Sequence, residues 1–357
     1  MSAGQQSTGG AGRQIAGSAG AGTGGRSASG RSASGRSASG RSAGGADTST
    51  VYEQLRSLMF SIAYRMLGSV TEAEDAVQET FLRYHDVVAS HGEPDSPKAY
   101  LSAVVTRLCI DQLRSARVRR EAYVGEWLPE PLLTGAAPLA EPVTPDPAAA
   151  AEQADSLSMA FLLLLERLSP LERAVFLLHD VFSYSYEETA EIVGRGASAC
   201  RQLAHRARQH LDAERPRFDV ADRDRDELAD RFFAAVGDGD MDGLLTLLAA
   251  DVEVHGDSAG AALSWARPIV GRKHVARLLG ALGNQMRHAG STLETTGVNG
   301  QPGALVRGPD GSLVAVLSID ISGGLVHTVR SVISPGKLRH LGPLADVAQL
   351  VEDRRRK

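Results

Sequence analysis

Between positions 198 and 208 the chain carries Ser198, Arg201, Gln202, His205, Arg206 and Arg208, all turned away from an apolar stripe of Cys200, Leu203, Ala204, Ala207 and Leu211. Guanidinium, amide, imidazole and hydroxyl groups on one helix face match base edges and phosphates in a major groove. A second set, His255, Asp257, Asp320 and His327, offers imidazole and carboxylate, the groups of acid–base chemistry. Such groups transfer protons only when a pocket brings them to a substrate and shifts their pKa values, which spacing alone does not establish. No metal-ligand spacing, phosphate-cradling loop or nucleophile motif occurs, so neither a metal nor a cofactor is expected.

The basic face needs a helix held firmly against another. Ser185 and Glu188 form a predicted capping box that opens a short helix, which Gly194 and Gly196 break. Ser198 then caps the basic helix. Ala190 is small where two helices would cross closely, and Gly194 follows four residues later at the turn. This is the layout of a helix-turn-helix. An ordinary helical hairpin with a solvated basic face is the other reading. The coincidence of small residue, turn glycine and basic face favours DNA.

Over 357 residues, two or three domains can each build a core. The net charge of −5 argues against gripping DNA by bulk charge and suits a reader whose affinity a partner supplements. Cys109 and Cys200 fall on apolar helix faces, as buried thiols in a reducing compartment do. The longest apolar run, 159–165, is too short for a bilayer, and the Gly/Ser-rich start lacks a signal-peptide core. A cytoplasmic protein without membrane contact is expected.

Residues 1–48 repeat G-R-S-A-S and are predicted to be disordered. An N-terminal helical domain, 49–120, follows. Tyr52, Leu55, Met59, Ile62, Ala63 and Met66 share one face, and Gly68 stops that helix. Thr71 with Glu74 predicts a capping box for the next helix, whose outer face holds Glu72, Asp75, Gln78, Glu79 and Arg83. Ser96 and Pro97 open a third helix, ending in the basic run Arg114, Arg117, Arg119 and Arg120. A Pro/Ala-rich linker, 121–152, is read as extended. The helix-turn-helix domain occupies 153–214, with a further capping box at Ser169 and Glu172. Residues 222–341 place helices before a run of strands predicted to be antiparallel, an α+β domain, and 342–357 form a tail.

An acidic helix and a basic helix ahead of a helix-turn-helix resemble the region-two and region-four domains of bacterial RNA polymerase sigma factors, in the extracytoplasmic-function group. The resemblance rests on E-A-E-D-A-V-Q-E-T-F-L-R at 72–83, K-A-Y-L-S-A-V-V-T-R-L-C-I-D-Q-L-R at 98–114 and S-P-L-E-R-A-V-F-L-L at 169–178. It implies that Asp75, Gln78 and Glu79 face the β′ clamp helices of core RNA polymerase, with the β flap as a second polymerase contact. It also implies that Lys98, Arg107, Asp111, Arg114 and Arg117 face the promoter −10 element. The −35 element would be read by Ser198, Arg201, Gln202, His205, Arg206 and Arg208.

W-L-P-E-P at 127–131 further resembles the subgroup with a fused, cone-shaped SnoaL-like barrel. Two motifs of that extension are degraded here: Asp257 and Gly260 remain of one, and Pro335, Lys337 and Leu338 of the other. The resemblance implies an intramolecular regulatory contact among Trp127, Leu128, Pro129, Asp257, Pro335, Lys337 and Leu338, although Trp127 and Pro129 also fit as plain linker anchors. The expected function is transcription initiation without catalysis. The competing reading is a helix-turn-helix regulator fused to a ligand-binding or enzymatic barrel, which would have no need of the acidic helix.

Overall fold

Gly68 sets the geometry of the N-terminal bundle. In the computed structural model, which describes residues 48–121, 123, 125–134, 156–212, 222–260 and 267–346, its φ of +67° closes helix α1 (Thr48–Leu67). The turn leaves Ser69 extended, so Ser69 rather than Thr71 caps α2 (Val70–His91), accepting from the Glu72 N–H. The expected Thr71 cap is therefore corrected: the left-handed glycine starts the helix earlier. Helix α3 (Pro97–Glu121) begins after Ser96, whose hydroxyl accepts from the Ala99 N–H. Met59, Ile62, Met66, Ala73, Val77, Tyr84, Leu101, Val105 and Cys109 fill the space between the three helices.

Helix α4 (Met159–Leu165) is capped by Ser158, and α5 (Pro170–Phe176) opens with the Ser169–Glu172 box. A five-residue π-helical turn, Leu177–Val181, leads to α6 (Tyr186–Val193) and α7 (Ala197–Asp212). The Ser185–Glu188 box and left-handed Gly194 bound α6 as expected. Ser198 lies in the first turn of α7 rather than before it, because the helix already starts at Ala197. The two helical domains share one core, in which Phe161, Leu165, Leu177 and Tyr184 join the residues of the first bundle.

Helices α8 (Asp222–Asp238) and α9 (Met241–Leu247) precede strand β1 (Leu248–Asp257). After β2 (Ile269–Val270) and α10 (Arg272–His288) come β3 (Thr292–Val298), β4 (Gln301–Arg307), β5 (Leu313–Ser322) and β6 (Leu325–Val332), then a four-residue turn α11 (Pro335–Leu338). The sheet order is β2-β1-β6-β5-β4-β3. It is mixed: β1 lies parallel to β6, while its other neighbours pair antiparallel. The run β3–β6 pairs antiparallel as expected from sequence; the parallel pairing of β1 with β6 is the addition, because most of the domain separates the two strands and packing, not a hairpin, sets the partner.

Period-two alternation gives the sheet two apolar faces. Ala315, Leu317, Ile319 and Ile321 of β5 pack with Phe232, Phe233 and Val236 of α8. On the opposite face, Val316 and Val332 meet Leu128, Met159 and Leu338. That second face is where the C-terminal domain joins the helical part. The stretch 128–132 is buried there, so this part of the linker is packed rather than extended.

Candidate promoter-reading and interdomain interface

Ser198, Arg201, Gln202, His205 and Arg206 line one shallow depression on the exposed side of α7. Arg201 bridges to Glu187 at 2.8 Å and lies over the Tyr186 ring, so α6 holds its stem without burying it. Arg208 is different. It bonds Asp180 at 2.6 Å and reaches the Tyr186 hydroxyl at 3.4 Å, fastening α7 to the π-helical turn.

On α2, Asp75 and Gln78 are exposed and Glu79 is half-buried, pairing with Arg83 at 2.7 Å. The three residues lie along one side of the helix. On α3 the expected DNA-facing residues divide. Asp111 and Arg114 pair with each other at 3.0 Å in the open. Arg107 instead donates to the Ile192 and Glu191 carbonyls at the end of α6, both at 3.0 Å. The Lys98 ammonium sits 5.1 Å from the Tyr184 ring centroid. The Arg117 side chain lies outside the described residues.

Two buried arginines reinforce this contact between the helical domains. Arg173 donates to the Met66 carbonyl at 2.6 Å and to Glu166 at 2.9 Å, and burial pulls its pKa down to about 9. Arg65 bonds the Ser156 hydroxyl at 2.9 Å and lies over the Phe182 ring, with burial drawing it to about 10. Neither arginine was recognised in the sequence, because a buried guanidinium and an exposed one look alike on a helix.

The interdomain residues converge. Asp257, fully buried at the end of β1, accepts from the Leu128 N–H at 2.8 Å and from the Lys337 ammonium at 2.5 Å on Oδ2. Its Oδ1 accepts from the Tyr123 hydroxyl at 2.5 Å and the Ala259 N–H at 3.2 Å. Burial and the adjacent carboxylate push the Tyr123 hydroxyl pKa up, which keeps it a donor. Trp127 packs over Gly68, where a Cβ would approach its ring to 2.9 Å. Leu128, Pro129 and Leu338 are buried, whereas Pro335 is exposed at the start of α11.

Glu130 and Asn299 belong to the same junction and carry no signal of it in local pattern. The Glu130 carboxylate accepts from the Val70 N–H at 2.7 Å, the Thr71 N–H at 3.1 Å and the Ser69 hydroxyl at 2.8 Å, capping α2 from 60 residues away. Asn299, at φ +53°, forms the tip of the β3–β4 hairpin with Gly300. An Asn-Gly pair is the usual signal for such a tip and was available in the sequence. The Asn299 side chain accepts from the Leu132 N–H at 2.9 Å and donates to the Tyr64 hydroxyl and the Leu157 carbonyl. Beside it, Leu133 makes an isolated antiparallel bridge to Val298 at the end of edge strand β3.

The four acid–base candidates do not meet. His255 bonds Glu126 at 2.6 Å and Glu253 at 3.0 Å, Asp320 pairs with Arg330 at 2.7 Å, and His327 is half-buried near Asp251. Among the described residues no His, Cys, Asp and Glu group has the arrangement of a metal site.

Comparison with known proteins assigns these parts. Residues 51–119 match Sigma-70 region 2, 158–211 match Sigma-70 region 4, and 229–317 match the SnoaL-like domain. The chain is 37% identical over 301 residues to the ECF RNA polymerase sigma factor SigJ of Mycobacterium tuberculosis, covering 80% of this chain and 91% of that one. The chain belongs to the ECF RNA polymerase sigma factors. The crystal structure of SigJ matches the fold with a TM-score of 0.64 at 34% identity, over 83% of this chain and all of that one. The probable ECF sigma factor SigI of the same species is 31% identical, over 81% of this chain and 94% of its own length. In this sigma factor, α1–α3 are region 2 and α4–α7 are region 4; Glu130 ties the linker to region 2, while Asp257 and Asn299 join the SnoaL-like domain to the linker and to Tyr64. No helix among its described residues is long and apolar enough to cross a membrane.

Proposed function

We propose that the structure is the resting arrangement of a promoter-specificity subunit whose C-terminal domain is its regulator and not an enzyme. The supporting observation is the position of Arg107 and Lys98. Both belong to the helix assigned to the −10 element, and both are engaged by the helix-turn-helix domain. A molecule folded this way must separate its two DNA-reading domains before it spans a promoter. Core RNA polymerase binds through Asp75, Gln78 and Glu79 of α2, with the β flap engaging region 4. Region 2 then serves the −10 element and α7 the −35 element, in the cytoplasm. His255 and Asp257 hold the C-terminal domain to the linker and Asp320 braces neighbouring strands through Arg330, so each is engaged structurally and none serves catalysis.

The test is transcription in vitro with purified core polymerase. Charge reversal at Asp75 and Glu79 weakens capture of core enzyme while leaving the fold intact, since Asp75 is exposed and the Glu79–Arg83 surface pair contributes no more than about 0.5 kcal/mol. Truncation after Ser334 changes transcript yield without unfolding the SnoaL-like domain. Unchanged core binding in the first experiment refutes the docking face, and unchanged yield in the second refutes the regulatory role.

A further inference from the structure

The Lys337 ammonium is held in an unusual way. Asp257 Oδ2 and the Leu128 carbonyl each accept from it at 2.5 Å, and the Tyr123 and Trp127 ring centroids lie 4.8 and 4.4 Å away. None of these groups belongs to the segment that carries the lysine. Each is also braced independently of it: Asp257 by the Tyr123 hydroxyl, the Leu128 N–H and the Ala259 N–H, and Trp127 by its seat over Gly68. Tyr123 and Trp127 are half-buried, so the receptor lies at the edge of the junction and not deep within it.

Two aromatic faces, a carboxylate and a carbonyl around one cation form a preorganised ammonium receptor. We propose that Tyr123, Trp127, Leu128 and Asp257 form a cation site for primary alkylammonium compounds, which Lys337 fills as a tethered ligand. A soluble amine of that class competes for the site and frees the α11 turn. The site stands on its own contacts; its effect on transcription rests on the regulatory role proposed above. The specificity follows from the donors. Two contacts require N–H groups, so a primary ammonium on an aliphatic stem satisfies the site and a quaternary ammonium does not.

The experiment uses the full chain carrying Lys337→Ala, with Trp265→Phe so that Trp127 is the remaining tryptophan. Titration with n-propylammonium chloride at constant ionic strength should change Trp127 fluorescence saturably. Binding should be at least about tenfold tighter than for tetramethylammonium, the equivalent of one charge-assisted hydrogen bond. Asp257→Asn should abolish it. Equal response to both cations, or a response that survives Asp257→Asn, overturns the proposal.

Should the Lys337→Ala chain fail to fold, the unsubstituted protein gives the same decision. There n-propylammonium must compete with a tethered lysine whose effective concentration is on the order of millimolar. In that range it should speed proteolysis at 335–338, and tetramethylammonium should not. Equal rates with both overturn the site. Amine binding with unchanged transcription would sustain the site and refute the regulatory reading. No binding, with transcription still altered by truncation after Ser334, would do the reverse.

Discussion

The Asn299 amide donates to the Tyr64 hydroxyl at 2.7 Å, linking residues 235 positions apart, and the same hydroxyl donates onward to the Glu130 carbonyl at 2.6 Å. Glu130 in turn caps α2 with its carboxylate. A hairpin tip of the SnoaL-like domain is thus connected, through two hydrogen bonds and one side chain, to the start of α2.

Asn299→Ala leaves the Tyr64 hydroxyl, the Leu157 carbonyl and the Leu132 N–H without this partner, and places a Cβ residue at positive φ without the local compensation Asn provides. The expected loss is about 2–4 kcal/mol, since buried groups left unsatisfied cost about 1–3 kcal/mol each and partly relax. Chemical denaturation measures it. Asn299→Gly, which keeps the backbone conformation, should lose less.

Removing the Glu130 carboxylate should act at a distance. Glu130→Gln keeps the size of the side chain but loses the negative charge at the positive end of α2, for a cost of about 1–2 kcal/mol. Hydrogen exchange should rise in the first turn of α2, and core polymerase should be bound more weakly because that helix presents Asp75, Gln78 and Glu79. Unaltered exchange at residues 70–74 would count against the cap.

The His255–Glu126 contact makes the junction sensitive to pH. Burial opposes the charged imidazole, but hydrogen bonding and charge from Glu126, with help from Glu253 and against Arg330, raise its pKa above the ordinary 6.5. A raised folded-state value stabilises fully below the unfolded pKa and fades as pH climbs through the folded one. Cleavage by chymotrypsin at Tyr123 and Trp127, followed between about pH 6 and pH 9, should increase on the alkaline side. His255→Gln should lack that increase.

Gln202 and Arg208 should separate reading from holding. Gln202 is exposed in the α7 depression, so Gln202→Ala relaxes specificity at one promoter position by about 1–3 kcal/mol and leaves stability unchanged. Arg208 is tied to Asp180, so Arg208→Ala lowers the stability of region 4 by about 1 kcal/mol and weakens binding to every sequence. Melting curves alongside binding to promoter variants distinguish the two.

The helix-turn-helix was legible because its signals are local: the Ser185 box, left-handed Gly194 and the alternation of apolar and basic positions all fall within 27 residues. The convergence of Trp127, Leu128, Asp257 and Lys337 was expected from family resemblance and not from spacing. Glu130 as a cap, Arg107 against α6 and β1 beside β6 depend on which distant elements meet, and no local pattern encodes that. Ser69 was missed for a nearer reason. Thr71 and Glu74 offered a complete box two residues later, and the backbone turn at Gly68 favoured the earlier start.

The bridge that Leu133 makes to Val298 covers the end of β3, an outer strand of the sheet. An exposed strand edge recruits other strands. Within the closed arrangement, residues 132–134 therefore shield the last positions of β3 from pairing with another strand, and loss of that contact would lengthen the open edge of the sheet.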